Sequence, residues 1–242
     1  MSRSECKTAY SPQQAVRYDA DRFTTRSGRK IHEIEFHHLE NAIQAITRKK
    51  QDFRMLEVGC GTGRLLIELA KRNFRIDGVD ASTDMCEQCR KKIEGLFSES
   101  HLTIAEAAHL PYPDNSYAFA YSIRLLNQTE SPAYALTIIS EMIRVVEPGG
   151  YVLVEFVNLF RPRLGRSPYK GVRLRPRDVI DHAYRTGAKR IWVRGAFFFG
   201  MVSLNRMPDV LIDFVSTIDQ GLSRLFPRLC SRCYILFRKD QT

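Results

Sequence analysis

The stretch Met55-Leu56-Glu57-Val58-Gly59-Cys60-Gly61-Thr62-Gly63-Arg64-Leu65-Leu66 joins an apolar run to three alternate glycines and then to an amphipathic run. It reads as a strand, a tight turn and a helix. The glycines let the backbone bend sharply with positive φ and leave no Cβ between the main chain and an approaching ligand. The helix that follows aims its free N–H groups at the same point. Two acids lie close to the turn. Glu57 stands two residues before the first glycine, where a carboxylate can meet an ammonium group. Asp80 ends Ile76-Asp77-Gly78-Val79-Asp80, 17 residues past Gly63, where an acid at a strand tip can accept two ribose hydroxyls. The glycine spacing is G-x-G-x-G. The third glycine comes one residue early for the dinucleotide fingerprint of the nicotinamide oxidoreductases.

Outward from this turn the pattern alternates. Strands are predicted over 53–59, 75–80, 101–105, 118–123, 151–157, 190–198 and 233–238. Helices are predicted over 63–72, 83–97, 132–146, 177–186 and 208–225. Ahead of them, Ser11-Pro12 is a helix-start signal. His32, Phe36, Leu39, Ile43 and Ile46 recur at helical spacing. Ser131-Pro132 opens the helix over 132–146, and Pro148-Gly149-Gly150 is read as the turn that closes it. Strand–helix alternation predicts an α/β fold with a mostly parallel sheet covered by helices on both faces.

The chain has 242 residues, 44% hydrophobic and 26% charged, enough for a folded core and unlike a disordered chain. Its longest mostly apolar stretch, 196–204, falls far short of the ~18 residues of a membrane span. The first residues lack the apolar run of a secretory signal, so a cytoplasmic protein is expected. The net charge of +10 is uneven: residues 161–242 carry 17 Lys and Arg against 6 Asp and Glu, whereas residues 1–160 are nearly balanced. A basic last third fits an anionic partner, whether phosphate, nucleic acid or membrane surface, or simply a well-solvated face.

Four segments, LEVGCGTG at 56–63, IDGVDAS at 76–82, LPYPDNSYA at 110–118 and EMIRVVEPGGYVLVEF at 141–156, occur in an order that resembles the class I S-adenosylmethionine-dependent methyltransferases. Within these the likeness is to the small-molecule group that includes quinone-biosynthesis C-methyltransferases. It covers roughly residues 50–157. The resemblance implies a Rossmann-like seven-stranded sheet of order 3-2-1-4-5-7-6, with S-adenosylmethionine as cofactor. It implies an N-terminal helical cap over residues 1–50 and a catalytic domain over 51–242, with a basic substrate-cap insertion at about 159–177. Gly59, Cys60, Gly61 and Gly63 would line the methionine side of the cofactor, and Glu57 would order its amino group. Asp80 and Ala81 would hold the ribose, Met85 would cover the adenine, and Glu106 with Ala107 would meet its edge. Ser122 would lie beside the sulfonium, and Tyr18, in YDADRF, would fold over the site. Where the family usually has Phe-Asp before the fourth strand this chain has Tyr117-Ala118, which predicts altered packing and not lost activity.

A sulfonium methyl is already activated, so alignment, which supplies roughly 7–11 kcal/mol, outweighs a general base at about 3–5 kcal/mol. Asn127, Gln128 and His109 are the catalytic candidates, with Asn158 after the fifth strand; no base stands out. Arg124 and Asn127 are candidate substrate contacts, as are Arg166, Tyr169 and Lys170 in the basic run RPRLGRSPYKGVRLRPR at 161–177. That run beside the apolar 195–202 suggests an anionic or amphiphilic substrate, lipid-linked, prenylated or a sugar phosphate, with peripheral membrane contact. The apolar segment alone reads first as a strand end packed under helix 208–225. RNA is the rival substrate, though only Tyr169 interrupts the charges and base stacking needs more aromatics. A non-catalytic cofactor-binding scaffold is the alternative to an enzyme. The pairs Cys86/Cys89 and Cys230/Cys233 have zinc-like internal spacing, but the expected strand order places them on different sides of the sheet, so no metal site is expected. Cys86 is expected to face the core and Cys89 to be half-buried.

Overall fold

The computed structural model describes residues 11–47, 53–94, 101–160, 171–201, 203 and 206–241. Seven strands, β1 (Arg54–Val58), β2 (Arg75–Asp80), β3 (Leu102–Ile104), β4 (Tyr117–Ser122), β5 (Val146–Val157), β6 (Ala188–Ala196) and β7 (Arg232–Lys239), form one sheet in the order β3-β2-β1-β4-β5-β7-β6. Pairing from β3 through β5 is parallel. Only β7 runs against its neighbours, inserted between β5 and β6. The observed order is the one that the sequence resemblance implies.

Alternation along each strand sends neighbouring side chains to opposite faces. Met55, Phe119, Leu153 and Leu236 pack under α2 (Arg26–Thr47) and α3 (Arg64–Ala70). Leu56, Ala120, Val152 and Phe237 pack under α5 (Pro132–Val145) and α6 (Pro176–Arg185). Helix α1 (Pro12–Phe23) starts with a capping box, in which Ser11 Oγ accepts from Gln14 N and the Gln14 side chain accepts from Ser11 N. It packs against α2 and α4 (Thr83–Ile93). The helix over 32–46 therefore begins earlier than its apolar spacing indicates, at Arg26.

Pro148-Gly149-Gly150 does not lie between helix and strand. α5 ends at Val145 and β5 begins at once, with Val146 extended. Tyr117 pairs with Val146 and Phe119 with Tyr151, so the Pro-Gly-Gly segment is a bulge within β5. Gly150 belongs there because a Cβ would come 2.8 Å from the Ala118 carbonyl oxygen. At the Tyr117-Ala118 departure, the Tyr117 hydroxyl donates to Asp77 Oδ2 at 2.8 Å, and Arg54 approaches the same oxygen at 2.7 Å. Residues 196–199 follow the strand-end reading in part: Phe197 is buried, whereas Phe199 is exposed.

Helix α7 (Asp209–Leu225) departs in part from the usual rule. It buries Ile212 but also Ser216, Asp219 and Ser223, and it exposes Val210 at 81%, Phe214 at 67% and Leu225 at 72%. The two cysteine pairs are far apart in the topology. Cys86 and Cys89 sit on α4 with their thiols next to Cys60, and Cys89 is fully buried rather than half-buried. Cys230 and Cys233 lie at the start of β7, and the Cys230 thiol faces the Phe226 carbonyl. None of the described helices is long and apolar enough to cross a membrane.

Candidate functional site

At the carboxyl ends of β1, β2 and β4 the turn opens a cavity lined by Tyr18, Glu57, Gly59, Cys60, Gly61, Asp80, Ala81 and Met85, all expected at a cofactor site, and also by Thr62, Arg64, Arg124 and Gln128. Gly59, Gly61 and Gly63 all have positive φ. A Cβ on Gly61 would meet nothing within 4 Å, so this backbone lies open to a ligand. Gly63 is not among the lining residues. It N-caps α3, and a Cβ there would collide with the Cys89 sulfur. Asp80 holds the turn by accepting from Gly61 N at 2.8 Å and Ser82 N at 2.9 Å. Burial raises its pKa, and those two amide donors oppose the rise.

Glu57 is only 3% exposed, and its carboxylate accepts from the Tyr121 hydroxyl at 3.0 Å. Burial pushes its pKa up to about 8, against the pull of that hydroxyl and of Arg64. A buried carboxyl of this kind at a cavity wall gains most from a cationic partner. Beyond Asp80 and Ala81, Glu106 and Ala107 line an adjoining hollow that shares Gly59 and Leu125 with the first. Tyr134 crosses it to donate to Glu106 at 2.9 Å. The residues present thus suit S-adenosylmethionine: an open glycine turn, one carboxylate for an ammonium, one for a ribose and an acceptor at the adenine end.

Helix α1 reaches this cavity through Tyr18. It is fastened there because Thr62 Oγ1 donates to Asp19 at 2.8 Å and Lys92 also pairs with Asp19. Below the cavity lies a buried ionic network that the linear pattern does not reveal. Glu35, 1% exposed, pairs with Arg64 at 2.5 Å and Arg124 at 3.5 Å. Burial disfavours its charge, yet the guanidinium groups of Arg64, Arg124 and Arg232 hold its carboxyl below the usual range. Glu155 accepts from Arg124 N at 2.7 Å and from Arg232 at 2.7 Å. Arg124 has φ +69°, an uncommon conformation without glycine, and the Glu155 bond fixes it at the end of β4.

Several expected residues are elsewhere. Ser122 is fully buried with no partner for its hydroxyl and does not line the cavity; the chain turns so that Ile123 and Arg124 do. Asn127 accepts from Arg232 at 3.0 Å and lies outside the cavity lining, whereas Gln128 lines it and donates to the Arg124 carbonyl at 2.6 Å. His109 is exposed and lies outside both hollows, because its loop turns it to solvent. Asn158 serves the fold, donating to the Arg228 and Cys230 carbonyls at 2.9 and 3.1 Å. Arg166, Tyr169 and Lys170 lie outside the described residues, as does most of the 159–177 insertion.

Residues 55–150 match the family described as a methyltransferase domain. The ubiquinone/menaquinone biosynthesis C-methyltransferase UbiE of Geobacter sulfurreducens is 28% identical over 73% of this chain and 64% of its own length. A phosphatidylethanolamine N-methyltransferase of Cereibacter sphaeroides is 33% identical over 42% of this chain and 49% of its own. The chain thus spans less than two thirds of the length of either of these curated relatives. The magnesium protoporphyrin IX methyltransferase of Synechocystis, solved with SAH, superposes with a TM-score of 0.62 at 13% identity, covering 88% of this chain and 87% of that one. A seven-stranded sheet with β7 reversed and a glycine turn at β1 defines a class I methyltransferase fold. Residues 55–150 are thus similar to a methyltransferase domain, within a chain that has the class I methyltransferase fold.

Proposed function

We propose that this protein catalyses methyl transfer from S-adenosylmethionine to a small anionic or amphiphilic acceptor, such as a lipid-linked or prenylated ring compound, in the cytoplasm. The observation that carries the reading is the convergence of Glu57, Asp80 and the open backbone of Gly61 on one cavity. When bound, the cofactor supplies a methyl group on a positively charged sulfur. Glu57 takes up the ammonium charge, Asp80 accepts from the ribose while keeping the turn in shape, and Glu106 meets the adenine edge. Helix α1, fastened through Asp19, covers the cavity and keeps water out. Gln128 and the Arg124 backbone form the wall on which the acceptor is oriented. Proximity and exclusion of water then carry most of the rate. The acceptor class is supported by the relatives, one named for quinone biosynthesis and one for phosphatidylethanolamine. The +11 balance of residues 161–242 points the same way.

Calorimetry with S-adenosylmethionine tests the cofactor. Incubation with methyl-labelled cofactor and either a demethylated quinone extract or bulk tRNA tests the acceptor. Label in the organic phase is expected. Label in tRNA would transfer the reading to RNA, and absence of cofactor binding would end it.

A further inference from the structure

A second cavity, of about 340 Å³, opens between α2, the end of β6 and α7. It shares no lining residue with the cavity at the glycine turn, and α2 stands between them with Glu35 turned to one side and His38 to the other. Its volume is many times the ~10–15 Å³ that seats one water molecule. Its polar wall is strongly one-sided. Arg194 comes from β6, Arg224 from α7, and His37 and His38 from α2. The one acid in its wall among the described residues, the buried Asp219, is already engaged by Phe199 N at 2.8 Å and by the Ser223 hydroxyl at 3.4 Å.

Neither the Arg194 nor the Arg224 guanidinium has an ion pair or hydrogen bond to another described side chain; that of Arg194 lies over the Trp192 ring. Burial, with a smaller repulsion from the Arg224 guanidinium, lowers the pKa of Arg194. His38 is 9% exposed, stacks on Tyr234 with ring centres 4.2 Å apart, and leaves Nδ1 buried without a partner. Uncompensated cations and an orphaned ring nitrogen around one hollow are costly unless an acceptor-rich anion occupies it.

We propose that this cavity is a second ligand site, which takes a phosphate or pyrophosphate group through Arg194 and Arg224, with His38 Nδ1 completing the contact. Guanidinium forks match phosphate oxygens, and a multivalent oxyanion uses both at once. The group belongs to a free phosphorylated metabolite or to a lipid headgroup, since the exposed apolar side of α7 adjoins the site. The site is independent of the methyl-transfer reading.

The test titrates sodium pyrophosphate into the protein by calorimetry. In parallel, it co-sediments the protein with phosphatidylcholine vesicles with and without phosphatidic acid. Pyrophosphate is expected to bind with Kd below about 1 mM, and Arg224→Glu and Arg194→Gln should each weaken binding at least about tenfold. Binding to phosphatidic acid vesicles alone, lost in both variants, supports the site and assigns it to a headgroup. Binding unchanged in Arg224→Glu, whose side chain is exposed and leaves the fold intact, overturns the proposal. So does failure of both probes with the wild-type protein. S-adenosylmethionine titrated into the same samples should bind all three proteins equally, so the two readings fail separately.

Discussion

Glu57 gives the sharpest test of a single residue. Its folded pKa near 8 lies above the usual carboxylate value, so the free protein binds more protons than the unfolded chain between those values. The Glu57 contribution to stability is therefore full at low pH and declines as pH rises toward 8. Binding of a cationic cofactor has the opposite sign. The ammonium needs the carboxylate, so affinity should increase from pH 6 to about 8, with up to one proton released at neutral pH. Calorimetry in two buffers of different ionisation enthalpy measures that proton, and Glu57→Gln should remove both the release and the pH dependence. Glu57 and Asp80 were legible because each ends a strand next to a glycine turn. That Ser122 lies outside the cavity lining was not legible, since Arg124, two residues on, takes up positive φ and turns the chain there. A list of residues carries no sign of such a turn.

Among the elements, α1 and the turn behave as one piece. Asp19→Ala removes the acceptor of Thr62 and the partner of Lys92, and should raise the KM for S-adenosylmethionine about five- to thirtyfold with little change in kcat, for about 1–2 kcal/mol of lost bonding. Gly63→Ala forces a side chain into left-handed backbone against Cys89 and should cost about 2–4 kcal/mol in urea unfolding. The strands and most helices announced themselves through apolar period and caps, as with Ser131-Pro132 before α5. The Pro-Gly-Gly bulge did not, because breakers mark a departure from helix without showing whether a loop or an irregular strand follows. The ionic cluster of Glu35, Glu155, Arg124 and Arg232 was equally hidden. Its members lie up to 89 residues apart for one pair and 77 for another, and only the folded sheet brings them together.

At the level of the whole molecule, Glu155 links β5, the end of β4 and the start of β7, so it tests how far the sheet holds as a unit. Glu155→Ala leaves the Arg232 guanidinium buried without its counter-charge and should lose about 3–5 kcal/mol, seen as a lower Tm in thermal unfolding. Loss of the β7–β6 side of the sheet alone, with the β1–β4 core intact, would show as two transitions and contradict the linkage. Finally, the outward-turned apolar side of α7 should make the protein surface-active. Val210, Phe214 and Leu225 would escape water at any air bubble or plastic wall, so vigorous stirring of a dilute stock should deplete it by adsorption. Replacing the three by serine should let the stirred stock keep its concentration.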